Sequence, residues 1–103
     1  MKRIYVAGAY SADNVITVLN NIAKGQKMCA DILADGNAPF CPWLDYQFQL
    51  HRQDLTVKDY YRYSMAWLEV SDEVWVLKGW EQSKGTIAEI KRAEELHIPV
   101  TYL

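Results

Sequence analysis

The sequence has no excess of positive charge and no long apolar run. Its 103 residues include 11 Lys and Arg against 13 Asp and Glu, for a formal net charge of -2. Proteins that bind nucleic-acid polymers usually carry a basic excess, so DNA and RNA strands are not expected partners. No apolar stretch approaches the roughly 20 residues of a membrane span, and the apolar run after Lys2 and Arg3 is too short for a secretory signal. We therefore expect a cytoplasmic protein that makes no membrane contact.

Cysteine and histidine are also scarce. Cys29 and Cys41 stand far apart in the sequence and form no close pairing motif, which predicts reduced thiols. His51 and His97 are isolated, and no spacing among His, Cys, Asp and Glu is typical of a metal site. The G-x-G-x-x-G pattern of dinucleotide-binding proteins is missing as well. We predict neither a bound metal nor a cofactor.

Aromatic residues, by contrast, are abundant: 4 Trp, 7 Tyr and 2 Phe. A chain this short needs large side chains to bury enough area, so they belong either to the core and a subunit interface or to a ligand-stacking site. The group Tyr60, Tyr61 and Tyr63 with Trp67 is a candidate interface, and we expect a homo-oligomer.

Short apolar runs alternate along the chain with helical stripes. Strands are predicted over 4–7, 38–41, 74–77 and 98–102, and helices after Ser11, after Thr56 and over 83–96. The stripe of the first helix is expected to bury the following residues: Val15, Leu19, Ile22, Cys29 and Leu33. This alternation predicts one α/β domain over 1–103, a small doubly wound (flavodoxin/Rossmann-like) parallel sheet flanked by helices. Ligands of such folds bind beyond the carboxyl ends of the strands, here the loops 8–11, 42–45 and 78–85.

Glu89 stands out in the last predicted helix because it lies on the apolar side. At about 100° per residue, it falls beside one broad apolar arc: Ile87, Ile90, Ala93 and Leu96. A buried carboxylate costs several kcal/mol unless it has a partner. Glu89 is therefore either a rim residue or cap whose head reaches water, or a carboxylate held at the ligand-binding edge as a nucleophile or base. A carboxylate nucleophile suits an anomeric carbon, whose transition state is oxocarbenium-like.

Two turns at the same edge have alternative interpretations. Ser83 either caps the last helix or assists its free N–H groups in holding an anion such as phosphate, and Gly85 removes a side chain where a ligand would approach. The turn from Gly8 to Ser11 is either an ordinary strand-to-helix turn or a second anion site.

Three segments carry a resemblance to a known family. They are IYVAGAYS at 4–11, the stretch from SDEV to LKGW at 71–80, and SKGTIAE at 83–89, followed by Ala93 and IPV at 98–100. Together they resemble the nucleoside 2-deoxyribosyltransferase-like superfamily, near its small bacterial and phage members and similar to the 2'-deoxynucleoside 5'-phosphate N-hydrolases. The resemblance covers nearly the whole chain and implies the same α/β fold.

The resemblance also implies roles for individual residues. Glu89 would be the nucleophile, Tyr5 would hydrogen-bond it, and Ser83 would contact a 5'-phosphate. The remaining residues expected at the substrate are the following: Gly8, Tyr10, Ser11, Trp43, Asp45, Ser64, Trp80 and Gly85. Among these, three aromatic residues are candidates for stacking on the base: Tyr10, Trp43 and Trp80.

Three departures from the family pattern bear on function. Ser64 stands where family enzymes commonly place a second carboxylate that handles the base, and Asp45, Asp54 or Asp59 is a candidate substitute. The sequence ends at Leu103, so a later segment that completes the pocket in related enzymes is expected to be missing. Family transferases carry Asp at the position of Ser83, which favours a 5'-phosphorylated ligand here.

We therefore expect an N-glycosidic bond hydrolase or deoxyribosyltransferase acting on a 2'-deoxynucleoside or its 5'-monophosphate. A non-catalytic nucleotide-binding module that keeps the pocket is the first alternative. A purely structural or partner-binding protein is the second.

Overall fold

Four short parallel strands form the centre of the molecule. The computed structural model describes every residue from 1 to 103. The strands are β1 (Arg3–Ala7), β2 (Ala38–Phe40), β3 (Glu73–Val76) and β4 (Val100–Tyr102), and they lie in the order β2-β1-β3-β4. Tyr5 of β1 pairs in parallel register with Phe40 on one side and Val74 on the other. The chain thus leaves β1 first toward one edge and later returns to the opposite side, which is the order of a doubly wound sheet.

Helices cover both faces of this sheet. They are α1 (Val15–Ala34), the single turn α2 (Tyr46–Gln49), α3 (Val57–Leu68) and α4 (Lys84–Glu95). Alternate residues of β1 point to opposite faces. Ile4 and Val6 pack in a cluster with buried residues of α1, whereas Tyr5 and Ala7 pack in a second cluster with residues of α3 and α4. The predicted doubly wound α/β architecture is confirmed.

The first helix begins later and is rotated relative to its predicted stripe. Its cap is Asn14, whose side chain accepts from the Thr17 N–H at 2.9 Å, rather than Ser11. The buried residues of α1 are Gly25, Cys29 and Ile32, while three expected core residues are exposed: Val15, Leu19 and Leu33. A helix of 20 residues is about 30 Å long, and strands of this length span at most about 17 Å. The first turns of α1 therefore extend beyond the sheet.

The helix α3 begins as predicted. Thr56 and Asp59 form a reciprocal capping box, in which the Thr56 N–H donates to the Asp59 carboxylate at 2.8 Å and the Asp59 N–H donates to the Thr56 hydroxyl at 3.3 Å. The cap sets the direction of α3, which turns Ser64 and Leu68 into the protein.

The buried face of α4 also differs from the predicted arc. Thr86, Ile90 and Ala93 are buried, whereas Ile87 is 45% exposed and Leu96 is 37% exposed. Thr86 can face the sheet because its hydroxyl lies 2.8 Å from that of Ser83, which satisfies a polar group that would otherwise be buried alone. The rotation keeps Glu89 on the inner side of the helix, one turn after Thr86.

Candidate functional site

A cavity of about 550 Å³ opens at the carboxyl ends of β1, β2 and β3. Its wall comes from the turn after β1, the 3-10 segment Pro42–Asp45, α3 and the start of α4. Nine of the predicted site residues line it: Gly8, Tyr10, Ser11, Trp43, Asp45, Ser64, Ser83, Gly85 and Glu89. The parallel strands explain this convergence, since their carboxyl ends meet at one edge.

Glu89 and Tyr5 form the most buried polar pair of the site. The Tyr5 hydroxyl, on a side chain with no exposed surface, donates a hydrogen bond to the Glu89 carboxylate, which reaches the cavity. Burial raises the pKa of Glu89 to about 7, and the hydrogen bond from Tyr5 partly opposes this rise. Burial and the neighbouring carboxylate together raise the pKa of Tyr5 well above its usual value, so Tyr5 stays a donor. At neutral pH, Glu89 exchanges between carboxylate and carboxylic acid.

Ser64 completes this group from α3. Its side chain is buried and lines the cavity, and it lies near enough to the Tyr5 hydroxyl to lower the pKa of Tyr5 against the larger upward effects. The Ser64 hydroxyl is thus a third polar group beside Tyr5 and Glu89.

Asp45 is the second carboxyl group of the cavity. It is 9% exposed and accepts a hydrogen bond from the Tyr10 hydroxyl at 2.9 Å. Burial raises the pKa of Asp45, and the bond from Tyr10 works in the opposite direction. Tyr10 is itself held in place, because its carbonyl accepts from the Asn21 side chain at 3.1 Å. Asp45 therefore occupies the cavity that Ser64 lines, whereas the other two candidate substitutes, Asp54 and Asp59, are not among its lining residues.

The start of α4 supplies the polar end of the cavity. Ser83 caps the helix, with its hydroxyl accepting from the Thr86 N–H at 3.3 Å. The N–H groups of Lys84 and Gly85 precede the first hydrogen bond within the helix and remain available to a ligand. Lys84 carries the only cationic side chain among the lining residues. This end of the cavity therefore combines a helix N-terminus with a positive charge.

Gly85 makes room for a neighbouring tyrosine. A Cβ at this position would lie 2.9 Å from the Tyr61 hydroxyl. Tyr61 thus reaches over the first turn of α4 only because residue 85 has no side chain.

The two tryptophans proposed for stacking occupy other roles. Trp43 contributes to the wall but is only 1% exposed, with its indole lying against Gly25 of α1 and its N–H donating to the Ala9 carbonyl at 3.0 Å. Its faces are therefore taken by the protein. Trp80 lies outside the cavity wall and packs near Tyr102, with ring centroids 5.4 Å apart. In this geometry neither tryptophan offers a free ring face to the cavity, and base stacking by either one stays a prediction.

Sequence reasoning missed several residues of the wall. Tyr60 and Tyr61 line the cavity, and Gln49 joins them by donating to the Tyr60 hydroxyl at 2.8 Å, while their predicted role at a subunit interface stays a prediction. The signal was present: Tyr60 and Tyr61 precede the inward-facing Ser64 by four and three residues, which places them on the same helix face.

Two further properties concern the whole chain. No group of three or more His, Cys, Asp or Glu side chains is arranged to hold a metal ion. None of the helices combines the length and apolar character needed to cross a membrane.

Residues 2–103 match the sequence profile of a family described as "Domain of unknown function (DUF7768)". The chain belongs to this family. A comparison with curated proteins found no match.

The fold is similar to that of a solved 2-deoxyribosyltransferase from the psychrotolerant bacterium Bacillus psychrosaccharolyticus. The TM-score is 0.66 at 17% identity, and the match covers 97% of this chain and 70% of the other. The chain therefore has a nucleoside deoxyribosyltransferase-like fold, as the sequence resemblance predicted.

Proposed function

We propose that the protein cleaves the N-glycosidic bond of a 2'-deoxynucleoside or its 5'-monophosphate, with Glu89 as nucleophile. The observation that carries this proposal is the Glu89 carboxyl group, held by Tyr5 at the wall of a cavity of about 550 Å³. The deoxyribosyltransferase-like fold supports the same chemistry. A cavity of this size is within the range of small-molecule sites.

The reaction has two steps. A Glu89 oxygen attacks C1' while the bond from C1' to the base nitrogen breaks, and the base leaves with the electron pair and takes up a proton. The glycosyl ester on Glu89 is then opened at C1' by water, giving the free sugar, or by a second base, giving a new nucleoside. The proposed reaction uses no cofactor.

Tyr5 positions the nucleophile. Its hydroxyl donates to one Glu89 oxygen and leaves the other for attack. Because the hydrogen bond from Tyr5 favours the charged form of Glu89, it increases the reactive fraction at neutral pH.

Asp45 is assigned to the base. The Tyr10 hydroxyl orients this carboxyl group, which can hydrogen-bond the base within the cavity. The start of α4 is assigned to the sugar or its 5'-phosphate, because the free N–H groups of Lys84 and Gly85 and the Lys84 cation favour an anion. Gly8 and Ser11 line the same cavity.

The test is incubation of the full chain with each 2'-deoxynucleoside and each 5'-monophosphate, with free base measured by chromatography. The parent and a Glu94→Gln control, altered at an exposed position of the same helix, should release base. Glu89→Gln should not. Equal release by Glu89→Gln and the parent would overturn the assignment of the nucleophile. A melting-temperature shift with no base released would identify a nucleotide-binding module instead, and no shift with any nucleotide would exclude both functions.

Self-association is proposed separately, because several apolar side chains of α1 remain exposed: Val15 at 66%, Ile16 at 63% and Leu19 at 54%. Sedimentation at low micromolar concentration should show an oligomer. A monomer alone would contradict this proposal. Residence in the cytoplasm stays a prediction.

A further inference from the structure

Cys29 and Cys41 lie side by side outside the candidate site. They share a second cavity of about 490 Å³, which lies between α1, β2 and the 3-10 segment that follows it. The two thiols lie close enough for each to change the pKa of the other. Nothing in the proposed reaction uses either thiol, so this pair needs an explanation of its own.

The two thiols differ in access to solvent. Cys29 is 6% exposed, and its sulfur lies 4.0 Å from the Phe40 carbonyl oxygen. Cys41 is half-buried at the end of β2. The cavity they share is bordered by Leu33 and Leu44, which are 59% and 45% exposed, so a small molecule can reach Cys41 from solvent.

They also differ in acidity. The neighbouring Cys29 thiol lowers the pKa of Cys41, and the backbone N–H groups of Trp43 and Leu44 act in the same direction, against the effect of burial. Cys29 holds its proton more tightly, because the neighbouring Cys41 thiol and then burial raise the pKa of Cys29. The more accessible thiol is thus also the one that ionises first, which is the combination that makes a cysteine reactive.

We propose that Cys29 and Cys41 form an oxidisable dithiol, a modification site at which a small-molecule disulfide converts the pair into an intramolecular disulfide. The Cys41 thiolate attacks one sulfur of the reagent R–S–S–R, which forms a mixed disulfide and releases RS⁻. Cys29 then gives its proton to solvent, and its thiolate attacks the Cys41 sulfur and expels the second RS⁻. The protein loses two electrons and two protons, and the reagent becomes two molecules of RSH.

The position of Cys41 connects this modification to the candidate site. Cys41 directly precedes the segment Pro42–Asp45, and its carbonyl accepts from the Leu44 N–H at 3.1 Å. That segment carries Trp43 and Asp45 in the wall of the first cavity. A bond from Cys41 to α1 therefore ties the Asp45 side of the site to the helix.

The experiment treats the folded full chain with hydroxyethyl disulfide, alkylates remaining thiols and locates each cysteine by peptide mass mapping. In the parent we expect the loss of two hydrogens, a peptide linking Cys29 to Cys41, and reversal by dithiothreitol. Cys29→Ser should stop at a hydroxyethylthio adduct on Cys41. Cys41→Ser should keep Cys29 free over the time in which the parent is fully oxidised.

Three results would overturn the proposal: both parent thiols staying free, an adduct on Cys41 that never closes, or a disulfide between two chains. Modification of Cys29 as fast as Cys41 in the parent would reverse the assigned order of attack. The parent measurement stands even if a serine variant fails to fold, which circular dichroism would reveal. The proposal does not depend on base release, so it can fail or hold independently of the proposed function.

Discussion

The Tyr5 hydroxyl donates to the Glu89 carboxylate and joins the first strand to the last helix across 84 positions of the chain. Both groups lie where burial disfavours charge, and the bond is the main effect that opposes the rise in the pKa of Glu89. The state of this pair therefore depends on pH near neutrality.

The proposed reaction should become faster as pH rises through about 7, because only the carboxylate form of Glu89 is nucleophilic and its pKa is about 7. The plot of log kcat/KM against pH should rise with unit slope below that value and level off above it. A rate that is flat between pH 5 and pH 8 would contradict a role for Glu89 in its charged form.

Stability should change with pH in the opposite direction. Glu89 has an ordinary pKa of 4.5 and a folded-state pKa of about 7, so the folded protein holds a proton that the unfolded chain has lost between these values. The contribution of Glu89 to the free energy of unfolding should fall as pH rises through this window, by about 3 kcal/mol in all. Glu89→Gln should lack this fall, which denaturant unfolding of both chains at several pH values would show. Parallel pH profiles of the two chains would argue against the raised pKa.

Tyr5→Phe should move the midpoint of the Glu89 titration upward, because the lost hydrogen bond lowers the pKa of Glu89. The shift is measurable by carboxyl NMR or by the pH profile of base release. Tyr102→Phe, at a side chain 51% exposed, is the matched control and should leave the midpoint in place. A lower midpoint in Tyr5→Phe would contradict the assigned direction.

Gly25→Ala should destabilise the protein even though alanine favours helices. A Cβ there would lie 2.2 Å from the Trp43 ring, and this indole is 1% exposed and cannot move aside. We expect a loss of about 1–3 kcal/mol in the free energy of unfolding. Asn20→Ala, an exposed change in the same helix, should be neutral or slightly stabilising. Equal stability of Gly25→Ala and the parent would show that the indole can shift.

Gly85→Ala should affect ligand binding more than stability. The added Cβ would lie 2.9 Å from the Tyr61 hydroxyl, and Tyr61 is 45% exposed and free to move. We expect the free energy of unfolding to change by less than about 1 kcal/mol and nucleotide binding to weaken by about tenfold, measured by calorimetry. In a Tyr61→Phe background the penalty should shrink, because the hydroxyl is gone. If Gly85→Ala weakened nucleotide binding equally in the Tyr61→Phe background, the contact with the Tyr61 hydroxyl would not be the cause.

The sheet and its helices were predictable because apolar strand runs and capped amphipathic helices alternate clearly. The rotation of α1 was not, since the helix contacts the core through Gly25, which carries no hydrophobic signal. Likewise Thr86 of α4 faces the protein core only because the Ser83 hydroxyl, three positions earlier, hydrogen-bonds its hydroxyl. Hydrophobic periodicity depends only on the residue type at each position, so it does not detect a glycine or threonine that is buried because of a specific partner.

The candidate site was predictable where the backbone alone brings residues together, as for Glu89, Ser83 and Gly8 at the strand ends. Side-chain direction was harder to foresee. Trp80 turns toward Tyr102, and Trp43 turns onto α1, through contacts between distant parts of the chain that periodicity does not reveal.

Trp43 belongs both to the core beneath α1 and to the wall of the cavity. On this side, the position of the indole between α1 and the sheet sets the depth of the cavity. A molecule bound in the cavity contacts the same indole that packs against α1. Ligand binding should therefore stabilise the packing of α1 on the sheet. Resistance of α1 amides to hydrogen exchange would then report on what the cavity contains, some distance from any atom that touches the ligand.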